Sequence, residues 1–167
     1  VPLIMSGPGV ANGTSDNPCS LVDLLPTLLD IAGQEKPELA MPIDGRSLWP
    51  LAKGENEDDR EAIVEYCAEC ASHPIFMIRR GDFKYIHCDV DPPQLFNIKE
   101  DPEELMDLIG DPKYVDIAEG FEKEVQERWD SEAIRKNVID TQKQRRGIHA
   151  AMEAGVFQSW DYNPPRD

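Results

Sequence analysis

The sequence has 167 residues, 40% of them apolar, and a formal net charge of −16 at pH 7. This length suits one domain with its own hydrophobic core. The charge argues against nucleic acid and anionic membranes as partners, because both would repel the protein. No apolar run is long enough for a transmembrane helix. The sequence begins at Val1 inside an apolar run, so we expect it to be part of a longer protein.

The first 55 residues contain apolar segments separated by turns. A short buried strand is predicted within residues 1–10, before a Gly-Pro-Gly turn. The segment SLVDLLPTLLDIAG predicts a helix with Asp23 as its N-cap and Gly33 as its stop. The side chains of this helix are apolar on almost all sides, so we expect the helix to be buried. The segment DGRSLWPLAKG then predicts a turn and a short helical segment that ends at Gly54.

Four strand candidates follow in close succession. Their short connections predict an antiparallel sheet, and Gly81-Asp82 predicts a tight hairpin turn between the second and third strands. The four segments are AIVEYCAE (62–69), IFMIRRGD (75–82), FKYIHCD (83–89) and PQLFNI (93–98).

Two helices are predicted after the strands. The first covers residues 111–129, and the second covers residues 131–154 and carries a basic stretch. The fold class is therefore α+β, an α/β fragment followed by an antiparallel sheet and helices. One stripe of the first helix is apolar and consists of Ile117, Phe121, Val125 and Trp129.

The four cysteines are Cys19, Cys67, Cys70 and Cys88. The C-x-x-C spacing of Cys67 and Cys70, with His73 nearby, is compatible with zinc binding. Within a strand, however, residues three apart face opposite sides. We therefore favour buried, reduced thiols in a cytoplasmic protein.

No self-contained catalytic motif is present. The sequence lacks G-x-S-x-G, a P-loop, G-x-G-x-x-G and H-E-x-x-H. Its three histidines are His73, His87 and His149. His87 lies in an alternating strand, so we expect a surface or packing residue. We expect no catalytic residue within this chain.

Five segments in order resemble the C-terminal third of sulfatases of the alkaline phosphatase superfamily. They are PLIMSGPG, SLVDLLPTLLDIAG, DGRSLWPLAKG, MIRRGDFKYIH and QLFNIKEDPEELMDL. Two later segments, ERWDSEAIRKNVIDTQKQRR and SWDYNPP, are similar to the helical extension and terminal tail of choline-sulfatases in particular.

This resemblance implies a division of the chain and of the chemistry. Residues 1–55 would end the sulfatase α/β core, residues 56–110 would form an antiparallel sheet subdomain, and residues 111–167 would form a helical extension and oligomerisation tail. The family uses a formylglycine, made within a C/S-x-P-x-R motif, and a divalent metal ion (Ca, Mn or Mg). Cys19 precedes Ser-Leu-Val, so it is not that residue. We expect both groups to be held upstream and this chain to be inactive alone.

The resemblance assigns leaving-group recognition to this chain. Choline carries a trimethylammonium group without an N–H, so its recognition requires aromatic faces and carboxylates. The substrate-binding candidates are Glu65, Glu69, Trp160 and Asp161. Strand alternation places Glu65 and Glu69 on one face. Alternatively, both acids face solvent, Trp160 is a hydrophobic latch, and Asp161 pairs with an arginine of another subunit.

The resemblance also implies a homo-oligomer, with a tetramer as one candidate, assembled through the helix 131–154 and the tail. Cys70 departs from the family pattern, because a small residue such as Gly is expected there. Two alternatives stay open. The chain could be the same region of an arylsulfatase or phosphonate monoester hydrolase, or a non-catalytic acidic domain that self-associates. We also expect the first strand and helix to leave apolar surface open.

Overall fold

The computed structural model describes residues 3–35, 41–55 and 60–155. Within these residues, four strands form one sheet, and four α-helices lie before and after it. The strands are β1 (Glu61–Tyr66), β2 (Ile75–Arg80), β3 (Phe83–Cys88) and β4 (Asp91–Asn97). The helices are α1 (Leu24–Ile31), α2 (Trp49–Ala52), α3 (Val115–Arg128) and α4 (Ser131–Glu153), and short 3₁₀ turns at Leu21–Asp23 and Pro112–Tyr114 precede α1 and α3.

The sheet is antiparallel with the order β1-β2-β3-β4, which confirms the predicted fold class and the predicted hairpin. Gly81 turns the chain between β2 and β3 with φ of +55°, a conformation that glycine adopts without a Cβ clash. β4 contains two prolines and lies at the sheet edge, where a missing N–H breaks no interior ladder bond.

The hydrophobic core lies between one face of the sheet and α3. Side chains alternate along each strand, so Phe76 and Ile78 of β2 share this inner face with their cross-strand neighbours. The predicted stripe on α3 is confirmed, because it covers the inner face. The core residues are Phe76, Ile78, Tyr85, Leu95, Phe121 and Val125, with Ile117, Trp129 and Ile134 packed at the margin.

The N-terminal region differs from its prediction in two ways. Residues 3–6 form no strand, and Ile4 is 90% exposed, because no neighbouring strand pairs with them within the described ranges. α1 forms as predicted and ends before Gly33, whose φ is +63°. Its predicted burial is wrong in this chain, since Leu28 is 63% exposed. The open apolar surface expected for this region is therefore observed.

Asp23 joins the N-terminal region to the sheet. It occupies the N-cap position of α1, but its side chain makes no capping hydrogen bond to that helix. Instead its buried carboxylate accepts hydrogen bonds from the backbone N–H groups of Ser20 and Arg46, each at 2.9 Å. Arg60, which directly precedes β1, forms an ion pair with Asp23 at 3.3 Å. We call this set the Asp23 clamp.

The loop before α2 approaches α1 closely. A Cβ at Gly45 would lie 1.9 Å from the carbonyl oxygen of Val22, so only glycine fits there. The Oγ1 of Thr27 accepts the backbone N–H of Leu48 at 2.8 Å. These contacts explain why D-G-R-S-L follows the helix in the sequence.

α4 leaves the body after its first turns. Asp130 caps it by accepting the N–H of Ala133 at 2.9 Å, and the helix begins at Ser131 as predicted. Ile134 still packs at the core margin, whereas residues 141–155 are exposed throughout. Within the described ranges, no helix combines the length and hydropathy of a membrane span.

Candidate functional site

A groove with a volume of about 790 Å³ runs along the free edge of β1. Its floor consists of Glu61, Ile63 and Glu65. One wall is the end of α3 with Arg128 and Trp129, and the opposite wall is formed by segments 20–23 and 44–46. The groove therefore lies between the N-terminal region and the sheet.

The floor of the groove continues the inner face of the sheet. Glu65 lies opposite Phe76 in the register of β1 and β2, and Glu61 lies opposite Arg80. Directly opposed residues point to the same face. β1 is the edge strand, beyond the part of the face that α3 covers, so the hydrophobic core becomes a charged groove there.

Trp129 contacts both the core and the groove. Its backbone is extended (φ −127°, ψ 131°), so α3 ends and the ring turns toward the sheet. The ring stacks on Phe76 with centroids 4.6 Å apart and planes 10° apart. Its Nε1–H donates to Oε1 of Glu65 at 2.6 Å. The groove thus contains an aromatic ring and a carboxylate in direct contact.

A network of ion pairs neutralises the other end of the floor. Arg128 donates to Glu61 and to Glu124, both at 2.7 Å, and Arg80 bridges the same two carboxylates. The hydrogen bond from Arg80 lowers the pKa of Glu124, and the hydrogen bond from Glu124 raises the pKa of Arg80. In contrast, no ion pair reaches Glu65 among the described residues.

The structure separates the two predicted glutamates. β1 ends at Tyr66, so Glu69 lies in the following turn, where its carbonyl oxygen accepts the Tyr66 hydroxyl at 2.8 Å. The alternation argument for a shared face of Glu65 and Glu69 is therefore wrong. Cys70 has φ of +68°, a left-handed conformation that favours glycine and ends the strand pattern. Trp160 and Asp161 lie outside the described residues.

The sequence pattern identified Trp129 as a core residue and missed its polar contact. Its predicted place on the apolar stripe is confirmed, because Trp129 packs against the core. The indole N–H was the available signal, because a half-buried tryptophan at the end of a stripe needs a hydrogen-bond acceptor.

A second polar cluster joins β3 to both long helices. His87 is buried, with Nδ1 2.9 Å from a Glu122 oxygen and Nε2 3.1 Å from an Asp89 oxygen. Hydrogen bonds from Ser131 and His87 lower the pKa of Asp89. Burial acts to raise the pKa of Glu122, but hydrogen bonds, foremost that of Tyr85, lower it on balance. His87 is thus a packing residue within a network.

The described residues do not fit a divalent-metal site. No three His, Cys, Asp or Glu side chains in ranges 3–35, 41–55 and 60–155 are arranged to hold a metal ion. Cys67 directly follows β1, Cys70 lies in the next turn, and all four cysteines are free. The predicted burial is wrong for Cys19 and Cys70, which are exposed, and only Cys88 of the four is buried. Burial raises the pKa of Cys67, with a smaller contribution from Glu65.

Two family profiles match the chain in succession. The profile described as N-sulphoglucosamine sulphohydrolase, C-terminal, matches residues 1–131. The profile described as choline sulfatase enzyme C terminal matches residues 136–167. The first match covers well over half of the chain. The chain therefore belongs to the sulfatase family, whose C-terminal region it matches, and the resemblance inferred from motif order is confirmed.

Individual relatives agree with this assignment. Choline-sulfatase of Rhizobium meliloti is 38% identical over 167 residues, which cover 98% of this chain and 32% of the relative. Arylsulfatase K of Danio rerio is 34% identical over 154 residues, covering 87% of this chain and 28% of the relative. A solved 2-O GAG sulfatase matches 73% of this chain and 28% of its own, with a TM-score of 0.57 and 28% identity. The chain thus spans about a third of these relatives' length.

Proposed function

We propose that the intact protein hydrolyses a sulfate ester, and that its substrate is choline sulfate. One observation carries this proposal: 98% of the chain aligns with a choline-sulfatase at 38% identity. The match of residues 136–167 to the choline-sulfatase C terminus supports the substrate, because it covers the region beyond the general sulfatase match. The formylglycine and divalent metal of this chemistry belong to the intact enzyme in this proposal.

The groove supplies the recognition of the alcohol. A quaternary ammonium offers no N–H, so a carboxylate and an aromatic ring are the groups suited to it. Glu65 and Trp129 present this pair on the groove, and Glu65 has no compensating ion pair among the described residues. Glu69, Trp160 and Asp161 stay predicted substrate contacts, with Glu69 displaced from the groove floor.

The substrate assignment is tested by the specificity of the intact enzyme. We expect kcat/KM for choline sulfate to exceed that for a neutral aryl sulfate and for a phosphonate monoester. Preference for the aryl ester would instead favour an arylsulfatase, a reading that the 34% identity to arylsulfatase K keeps open. Absence of sulfate release from every ester, with the formylglycine verified by mass spectrometry, would contradict the sulfatase proposal itself.

We also propose that residues 1–55 end the sulfatase α/β core, that residues 56–110 form the sheet subdomain, and that residues 111–167 form the assembly element. The exposed leucines of α1 support a partner for the first segment. The free thiols of all four cysteines support a cytoplasmic location.

The assembly proposal is a homo-oligomer formed through α4 and the tail. Residues 141–155 of α4 are exposed and include the apolar side chains of Ile148 and Met152. The helix is basic on an otherwise acidic chain, which favours contact between copies. Truncation after Gly155 is expected to lower the number of subunits in the oligomer, measured by light scattering. An unchanged number of subunits would exclude the tail as an assembly contact. Ile148→Glu in α4 then tests whether the helix forms that contact.

A further inference from the structure

The orientation of Trp129 is determined by the hydrophobic core. Phe76 is fully buried in the middle of the inner face, and the indole ring lies parallel to it, 4.6 Å away. A ring stacked on a buried partner has little freedom to rotate, because close-packed neighbours fill the surrounding space. The direction of the Trp129 N–H is therefore fixed by packing, outside the groove itself.

That N–H restrains an otherwise exposed side chain. Glu65 lies in the exposed end of β1, and a free glutamate there would sample several rotamers. The indole nitrogen is a donor only, and its 2.6 Å contact with a carboxylate oxygen is a charge-assisted hydrogen bond. This bond holds Oε1 of Glu65. Within the described ranges, Oε2 of Glu65 accepts no hydrogen bond.

A second glutamate on the same floor provides an internal comparison. Glu61 and Glu65 share one face of β1, four residues apart. Glu61 is held by the guanidinium groups of Arg80 and Arg128, which cancel its charge. Glu65 is held by a neutral donor, which orients the carboxylate and leaves its negative charge available. The difference suits Glu65 to a cationic ligand and Glu61 to a structural role.

We propose that Trp129 is the positioning residue of the substrate site, which orients Glu65 toward the cationic end of the ester's alcohol. This inference rests on the function proposed above. The substrate class is a sulfate ester whose alcohol carries a permanent positive charge without N–H donors. Trp129 acts through Glu65, so its removal affects binding of that class more than binding of uncharged esters.

The test uses the intact enzyme and the substitution Trp129→Phe, which keeps an aromatic ring for stacking on Phe76 but removes the N–H. We expect KM for choline sulfate to rise about tenfold relative to KM for a neutral aryl sulfate, because a hydrogen bond to a charged group is lost. The expected change in kcat is smaller than the change in KM. Trp49→Phe is the matched control, since Trp49 lies in α2 outside the groove lining.

A double-mutant cycle separates positioning from packing. If Trp129 acts through Glu65, adding Trp129→Phe to Glu65→Gln does not raise KM for choline sulfate further. If the two residues act independently, their fold-changes in KM multiply. Glu65→Asp gives a second arm that leaves the core intact, because the shorter side chain cannot reach the indole. We expect it to raise the same KM.

Three outcomes are informative. Equal KM changes for both esters, or multiplying effects in the cycle, overturn the positioning role while leaving the sulfatase proposal in place. A wild-type enzyme that releases sulfate from neither ester overturns the proposed function, and the inference with it. The positioning role and the proposed function are both supported if Trp129→Phe changes KM for the cationic ester only, and if this change is absent when Glu65 is already replaced by Gln.

Discussion

The N-terminal region and the sheet–helix body are stabilised in opposite ways. The body buries its apolar residues between the sheet and α3, and Phe76, Ile78 and Leu95 are completely inaccessible to solvent. The N-terminal region exposes the leucines of α1 and is attached through the buried Asp23 clamp. Burial of apolar area is the main stabilising contribution in proteins, so the body carries its own stability. The N-terminal region relies on polar contacts and is suited to packing against further protein.

The largest expected loss of stability comes from a core residue of the body. It tests whether the body holds the only substantial hydrophobic core among the described residues. Phe76→Ala should lower the free energy of unfolding of the 167-residue chain by about 4 kcal/mol, because it leaves a cavity under Trp129 and α3. Leu28→Ala on α1 is the control, and its cost should stay below about 0.5 kcal/mol. Urea unfolding measures both. If Leu28→Ala costs clearly more in the intact protein than in the 167-residue chain, further protein covers α1. An equal cost in the two would contradict that proposal.

The next effect concerns the Asp23 clamp. Asp23→Ala should cost about 3 kcal/mol, because it removes a buried ion pair with Arg60 and the acceptor of two backbone N–H groups. Asp30→Ala changes the same residue type on the exposed side of α1 and should have little effect. Thermal unfolding of the intact protein distinguishes the two variants. Equal losses would mean that the clamp does not attach the N-terminal region.

A smaller effect depends on pH and is confined to the body. The pKa values of Asp89, Glu122 and Glu124 are lowered in the folded state, so these carboxylates stabilise the fold above their unfolded values near about 4. This contribution is lost as pH falls through the lowered folded values. Urea midpoints should therefore decrease below about pH 4. Ser131→Ala removes the main hydrogen bond to Asp89 and should make the decrease shallower. An identical pH profile would contradict this assignment.

The smallest expected effect lies in the turn between β1 and β2. Cys70→Gly should stabilise the chain by up to about 1 kcal/mol, because its left-handed conformation strains a residue with a Cβ. Cys67→Gly nearby is the control and should not stabilise, since the described Cys67 has no positive φ. Unfolding midpoints of both variants measure the effect. Stabilisation by Cys67→Gly alone would contradict the strain argument.

The sheet was predictable because its signals are local. Alternating side chains and the Gly81-Asp82 turn define β2 and β3 without reference to distant residues. The same is true of α3 and of the start of α4 at residue 131. Each of these elements also packs within this chain, so local preference and tertiary contacts agree.

The failures have tertiary causes. The opening strand needs a neighbouring strand, and the burial of α1 needs a covering surface, which the described residues do not supply. Glu69 was misplaced because the turn at Cys70 ends β1 earlier than the apolar pattern suggests. The Trp129–Glu65 contact joins positions 64 residues apart, and no local pattern encodes such a distance. The sequence therefore predicted a role for Glu65 but not its contact with Trp129.

The central claim is that Glu65 on the groove recognises a cationic alcohol. Its most direct test is the ratio of kcat/KM for choline sulfate to kcat/KM for a neutral aryl sulfate, measured for the intact enzyme carrying Glu65→Gln. Glu127→Gln, on the exposed side of α3, is the control. We predict that Glu65→Gln lowers the ratio at least about tenfold, through loss of one charge interaction, and that the control leaves it unchanged. An unchanged ratio in Glu65→Gln would contradict the account.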